Sequence, residues 1–257
     1  MRLMKRILSA AAVLALSASL LVGCSSGTAS SVPVSASSAA ESTVSSVEET
    51  ASSAVDENEA AAAQLLNDLT GSYQELWPVI LADEYKQTWL DDCTALVGED
   101  NAEAAFEKLS SMVTGDVYGE DAVKAYANGG GAYFCGFTNS LAILTFDGET
   151  STISGTDKDG NVLFSHTYHY IVMEPVRGLY EFQSDDADSG EFTYFFLAPD
   201  TSAETYHIEF RYGSDADALS QYDAGDYAYW LASGISTDCD QTMIDNCIEL
   251  FCTENLA

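Results

Sequence analysis

The chain has 257 residues, and 41 acidic against 9 basic side chains give it a formal charge of −32. That balance disfavours nucleic acid, whose phosphates need clustered lysine and arginine, and close approach to anionic lipid; cations and basic surfaces are the favoured partners. Acidity also keeps exported proteins soluble, so by itself it selects no ligand.

In chain order, the first element is an address. A basic "MRLMKR" precedes the apolar run "ILSAAAVLALSASLLVGC", which closes in Leu21-Val22-Gly23-Cys24. This is the pattern of a bacterial lipoprotein signal over 1–23, and it predicts Cys24 as the diacylated first residue of the mature protein. An ordinary secretory signal with a chance cysteine is the alternative. The apolar run is short and rich in small residues, so a transmembrane span is not predicted. Residues 24–57 are mostly Ser, Ala, Thr, Val and Glu with no aromatics. Such a segment has too little apolar surface to offset its ordering entropy, which predicts a disordered tether. The remaining 58–257 is long enough for one domain with a substantial core.

That domain opens in helical patterns: "ENEAAAAQLLNDL", "ADEYKQTWLDDCTALV", "NAEAAFEKLSSMVTG" and a shorter "GEDAVKAYANGGG" closed by glycines. After Gly131 the pattern changes to aromatic and β-branched runs split by turn signals. These are "AYFCGFT", "LAILTFDG", "STISGTDKDG", "NVLFSHTYHYIVME", "GLYEFQSDD", "EFTYFFLAPD" and "TYHIEFRYG". "DYAYWLASGI" and a helical "CDQTMIDNCIELFC" close the chain. The prediction is α+β, mainly β: helices, then an antiparallel sheet that closes on itself, then a C-terminal helix.

Three histidines limit the candidate sites. His207 and Glu209 are two apart in a strand-like run, so they share a face about 7 Å apart, with Ile208 and Phe210 opposite. An imidazole and a carboxylate suit zinc, given a further ligand; a wet sheet face is the bland alternative. In "FSHTYHYIV", His166 shares a face with Phe164, Tyr168 and Tyr170, while His169 points the other way and is expected to be exposed. His166 is therefore the better interior candidate, either as a ligand or as a hydrogen-bonded core histidine. "DKDGN" and "DDADSGE" lack the glycine and glutamate spacing of a calcium loop and read as turns. No nucleophile elbow or phosphate loop occurs, so no enzyme is predicted. Cys93, Cys135, Cys239, Cys247 and Cys252 follow the leader; an odd count leaves at least one thiol unpaired, and the connectivity is not readable. Cys247 and Cys252, five apart on the predicted helix, share a face poorly.

Three segments resemble the ZinT-like bacterial zinc-binding proteins, which also occur fused to zinc-transporter lipoproteins. "DLTGSYQELWPVI" is similar to that family's opening D-W-x-G-x-W-x-S-x-Y-P-L-L. "SHTYHYIVME" with "GLYEFQ" is similar to its K-Y-x-Y-x-G-Y-K and R-Y-L-F-E-C strands, and "HIEFRYG" to its H-F-H-I-F-x-G metal strand. The resemblance implies a calycin-like β-barrel with helical additions that binds zinc through three histidines. Carried over, His207 takes the first H-x-H position and Glu209 the second. Asp200 stands for the ligand that ends F-S-D-H. His166 and Gln183 stand where the family carries a cysteine pair, which keeps His166 as a further candidate ligand. More oxygen donors tilt such a site towards harder divalent ions. Joined to the lipoprotein signal, the resemblance implies a lipid-anchored protein on the outer face of the cell membrane that buffers a divalent ion, zinc by the family, or delivers it to a zinc ABC transporter. A barrel that holds a small organic ligand, and a non-catalytic surface protein, are the alternatives.

Overall fold

The β-like runs become strands whose buried and exposed residues alternate. A computed structural model describes residues 57–126, 132–199 and 207–257. The leader, Cys24, the tether up to residue 56, and Asp200 lie outside those residues. The strands are β1 (Gly71–Glu75), β2 (Ile143–Asp147), β3 (Thr152–Thr156), β4 (Val162–Met173), β5 (Tyr180–Ser184), β6 (Tyr194–Leu197), β7 (His207–Gly213) and β8 (Ala232–Ser236). Each pairs antiparallel with the next in sequence, and β1 also pairs with β8, so the sheet is a closed barrel. Closure removes the exposed strand edges that a flat sheet would leave. The predicted fold class holds.

Around the barrel lie α1 (57–68), α2 (Leu76–Ile80), α3 (Lys86–Val97), α4 (Glu99–Val113), α5 (Glu120–Tyr126), α6 (Ala216–Leu219) and α7 (Gln241–Leu256). The last starts where its pattern predicts: the Asp240 carboxylate accepts from the Met243 amide at 3.0 Å and caps the helix. Asp157 to Asn161 is a turn, as read, with the Asp157 carboxylate accepting from the amides of Asp159 and Asn161.

One predicted strand is corrected. "AYFCGFT" forms only isolated bridges, from Phe134 to Thr114 and Trp230. Its later amides are taken by side chains instead of a ladder: Phe137 N–H donates to Glu75 Oε1 at 2.6 Å and Thr138 N–H to the Tyr212 hydroxyl at 2.6 Å. In its place "GSYQE", unassigned from the sequence, supplies β1 and closes the barrel.

Two cores result. The first fills the barrel. Phe164, Tyr168, Phe195, Phe210 and Tyr212 point inwards and are all buried. Their rings interlock: Phe164 stacks on Phe192 at 4.0 Å, Phe195 on Tyr212 at 5.4 Å, and Tyr212 meets the edge of Trp230 at 4.9 Å. Leu65, Leu66 and Leu69 at and just beyond the end of α1 join this core. Gly148 lets the β2–β3 turn approach α1, because a Cβ there would sit 2.4 Å from the Asn67 Cα. The second core lies outside the barrel, under α2, α3, α4 and α7. It is built from Trp77, Ile80, Trp89, Leu109, Ile244 and Ile248, with four cysteines among them. The Trp89 indole N–H donates to the Ile80 carbonyl at 2.7 Å, which ties α3 to α2.

Candidate functional site

β7 presents two faces. Ile208, Phe210 and Tyr212 enter the aromatic core, so His207, Glu209 and Arg211 point out of the barrel. The register places His207 beside Ile235 and Glu209 beside Ser233 of β8. Both are half-buried, because α2 and α7 cover this part of the sheet.

The pair lines a pocket between β7, α2 and α7. Trp77 and Ile80 form one wall, and Cys247, Phe251 and Glu254 of α7 form another. Its free volume is about 30 Å³. That holds a water or an ion, far below the several hundred Å³ of a drug-sized ligand site. Phe251 packs edge-on to Trp77 at 4.8 Å, which fixes the helix against the wall.

The Cys135 thiol lies next to this pocket. Burial pushes its pKa far up, and the nearby Glu209 carboxylate adds to the effect; Ser233 and Trp77 beside it oppose. It is therefore a protonated thiol at neutral pH. A metal would have to displace that proton to gain a sulfur ligand.

The structure brings His207 and Glu209 together as the strand period predicts. It places His166 elsewhere. That ring is on the inner face of β4, near Phe164, with Nδ1 2.7 Å from an Asp186 carboxylate oxygen at a partly open position. An inward residue of β4 and an outward residue of β7 cannot share one ion, so His166 is a hydrogen-bonded histidine and not a partner of His207. His169 is exposed, as expected, and pairs with Asp185 at 2.6 Å. Asp200 lies outside the described residues. Sequence reading missed Cys247 and Glu254. They are seven apart, two turns of α7, so a helical-face count groups them, but only the docking of α7 shows which strand they face.

The donor types suit a borderline divalent ion: one imidazole and one carboxylate on the strand, a second carboxylate and a thiol on the helix. As the side chains stand, no three His, Cys, Asp or Glu among the described residues are disposed to hold a metal. His207, Glu209, Cys247 and Glu254 each already have an interaction within the protein. A metal would exchange those partners for itself.

A second polar cluster lies outside this pocket. Glu174 is buried and accepts from the amides of Val176 and Arg177 at 2.7 and 2.8 Å and from the Tyr222 hydroxyl at 3.3 Å. The Tyr222 ring has the Arg177 guanidinium 4.2 Å and the Arg211 guanidinium 4.4 Å from its centroid. Burial and then Glu174 push the Tyr222 hydroxyl up to about 12, against the pull of the two arginines. Burial draws Arg211 down to about 10, so it stays charged at neutral pH. Arg211 donates to the carbonyls of Leu219 and Tyr227. The cluster pins the segment between β7 and β8 to the barrel.

No family model matches the chain, and no curated protein matches it. Among solved structures, the Zn(II)-bound ZinT-like domain of Streptococcus pneumoniae AdcA is similar, at 14% identity and a TM-score of 0.45, covering 72% of this chain and 89% of that domain. Zn(II)-bound AdcA from the same species is similar at 12% identity and a TM-score of 0.42. There the match covers 73% of this chain but 35% of AdcA. The barrel of the present chain rests on its own strand ladder.

Proposed function

We propose that this chain binds a divalent metal ion, zinc by the character of its donors, between β7 and α7. The observation that carries the reading is the outward His207–Glu209 pair lining a pocket of about 30 Å³ with Glu254 and Cys247 across from it. An imidazole and carboxylates in a space for one ion are the chemistry such a site needs. The reading as an organic-ligand barrel is less favoured, because stacked aromatic rings occupy the interior where that ligand would sit. His207 and Glu209 are the first two ligands. The third comes from Asp200, as the resemblance implies, or from Glu254 by a side-chain adjustment.

The leader and Cys24 support a lipid-anchored protein on the outer face of the cell membrane. In that place a metal-binding barrel buffers the ion or hands it to a zinc ABC transporter. We read it as a binding protein and not an enzyme. Calorimetric titration of zinc into the chelator-treated protein tests the site. We expect one ion per chain, and loss of that ion when His207→Ala and Glu209→Ala are combined. Unchanged stoichiometry in the double variant contradicts the assignment. Variants Asp200→Ala and Glu254→Ala, titrated separately, identify the third ligand by which one weakens binding.

A further inference from the structure

Four of the five cysteines beyond the leader are buried, and two of them face each other across a helix pair. Cys93 on α3 and Cys252 on α7 are both fully shielded from solvent, and their sulfur atoms are 3.9 Å apart. All five thiols are reduced as described. The others have different surroundings: Cys135 sits beside Ser233 and Trp77, Cys247 lines the pocket, and Cys239 is only half-buried. Cys247 and Cys252 both turn into the helical core, but Cys252 reaches α3 while Cys247 faces β7 and α2.

We propose that Cys93 and Cys252 form a disulfide that joins α3 to α7. The two helices are already packed together, so the 3.9 Å between the sulfur atoms has to close only to the roughly 2.05 Å of a bond. Two thiols with no third soft donor beside them do not make a zinc site, so a covalent pair is the better use of this placement. The residues are 159 apart in sequence, so the bond encloses nearly the whole barrel and ties its C-terminal helix to α3. It also fixes the helix whose Cys247, Phe251 and Glu254 wall the pocket.

The oxidant is a disulfide-bearing thiol compound or oxidoreductase. One cysteine thiolate attacks a sulfur of that disulfide, giving a mixed disulfide and one released thiolate. The second cysteine then attacks the protein sulfur and releases the other. The protein loses two electrons and two protons, and the oxidant is reduced to two thiols. Both cysteines are protonated and sealed in the folded protein, where burial raises their pKa. Exchange therefore takes place before α7 docks, while the C-terminal helix still exposes Cys252.

The test refolds the full chain, after reduction and denaturation, in a buffer of reduced and oxidised glutathione. Free thiols are then trapped with N-ethylmaleimide under denaturing conditions and the peptides mapped by mass spectrometry. We expect one linked pair of peptides carrying Cys93 and Cys252, with Cys24, Cys135, Cys239 and Cys247 alkylated. Reduction should lower the melting temperature by roughly 10 °C, because the bond closes a long loop. Cys239→Ser should keep that response, and Cys93→Ser or Cys252→Ala should abolish it. Alkylation of Cys93 and Cys252 themselves, a glutathione adduct at either, or a bond between any other pair overturns the proposal. The mapping uses the unmodified chain, so it decides the matter even if a cysteine variant does not fold.

Discussion

The two faces of β7 carry opposite chemistries. Inwards, Ile208, Phe210 and Tyr212 enter an interlocked aromatic core; outwards, His207, Glu209 and Arg211 meet α2, α7 and the segment that precedes β8. The inner face has little room to vary, since its rings stack at centroid distances of 4.0 to 6.4 Å in a close-packed core. The outer face lies at a seam between sheet and helices, where a small space remains and the buried Arg211 Nε and Trp77 Nε1 lack a hydrogen-bond partner among the described residues. The inner face is given over to packing, and binding is expected on the outer one. A closed barrel offers an interior cup, and here the aromatic side chains fill it.

The largest break of that comparison is Phe195→Ala. The ring is fully buried among Phe164, Tyr168, Phe210 and Tyr212. Truncation should cost about 3–5 kcal/mol in denaturant unfolding. The molecules that remain folded should bind zinc with unchanged stoichiometry; a lost site would show that the two faces are not independent.

Next is Arg211→Ala, on the outer face yet away from the pocket. It removes the donor to the Leu219 and Tyr227 carbonyls and leaves the Tyr222 ring with one guanidinium in place of two. We expect a loss of about 2–4 kcal/mol by the same measurement. A change within about 0.5 kcal/mol would mean that this cluster is ornamental to the fold.

Glu209→Gln should move stability by less than about 1 kcal/mol, because the residue is half-buried at a seam. Zinc affinity should fall at least tenfold by competition with a chromophoric chelator, since a neutral amide replaces an anionic ligand. Equal affinity would remove Glu209 from the site.

The smallest effect is a pH dependence in the helical core. Burial first, then the charges of Glu249, Asp245 and Asp91, raise the Asp92 pKa. A carboxyl with a raised folded-state pKa holds its proton more tightly when folded. Its contribution is fully present below the unfolded pKa and is lost as pH rises through the folded one. Asp92→Asn should therefore raise the unfolding midpoint slightly at pH 7, and the gain should shrink towards pH 4. A gain that grows on acidification would reverse the sign and refute the cause.

Much of the fold was legible because period-2 and helical runs are long in β4 and α7. β1 was not, since "GSYQE" is five residues wedged between helix-forming sequences and gains its identity only by pairing with β2 and β8. "AYFCGFT" misled for the opposite reason: its aromatic run is strand-like, but Glu75 and Tyr212 side chains satisfy its amides. The pairing of His207 with Glu209 followed from strand period alone. Their outward direction did not, because every residue from Phe210 to Gly213 is buried and both faces of β7 read as covered. His166 was rightly placed on the apolar face, while its partner Asp186 lies twenty residues on, beyond the reach of any local pattern.

The central claim is that metal binds on the outer face of β7. Diffraction from zinc-loaded crystals at the zinc absorption edge locates the ion without assumption. The account predicts one anomalous peak at bonding distance from His207 and Glu209. A single peak beside His166 and Asp186, with the β7 pair unliganded, would contradict it.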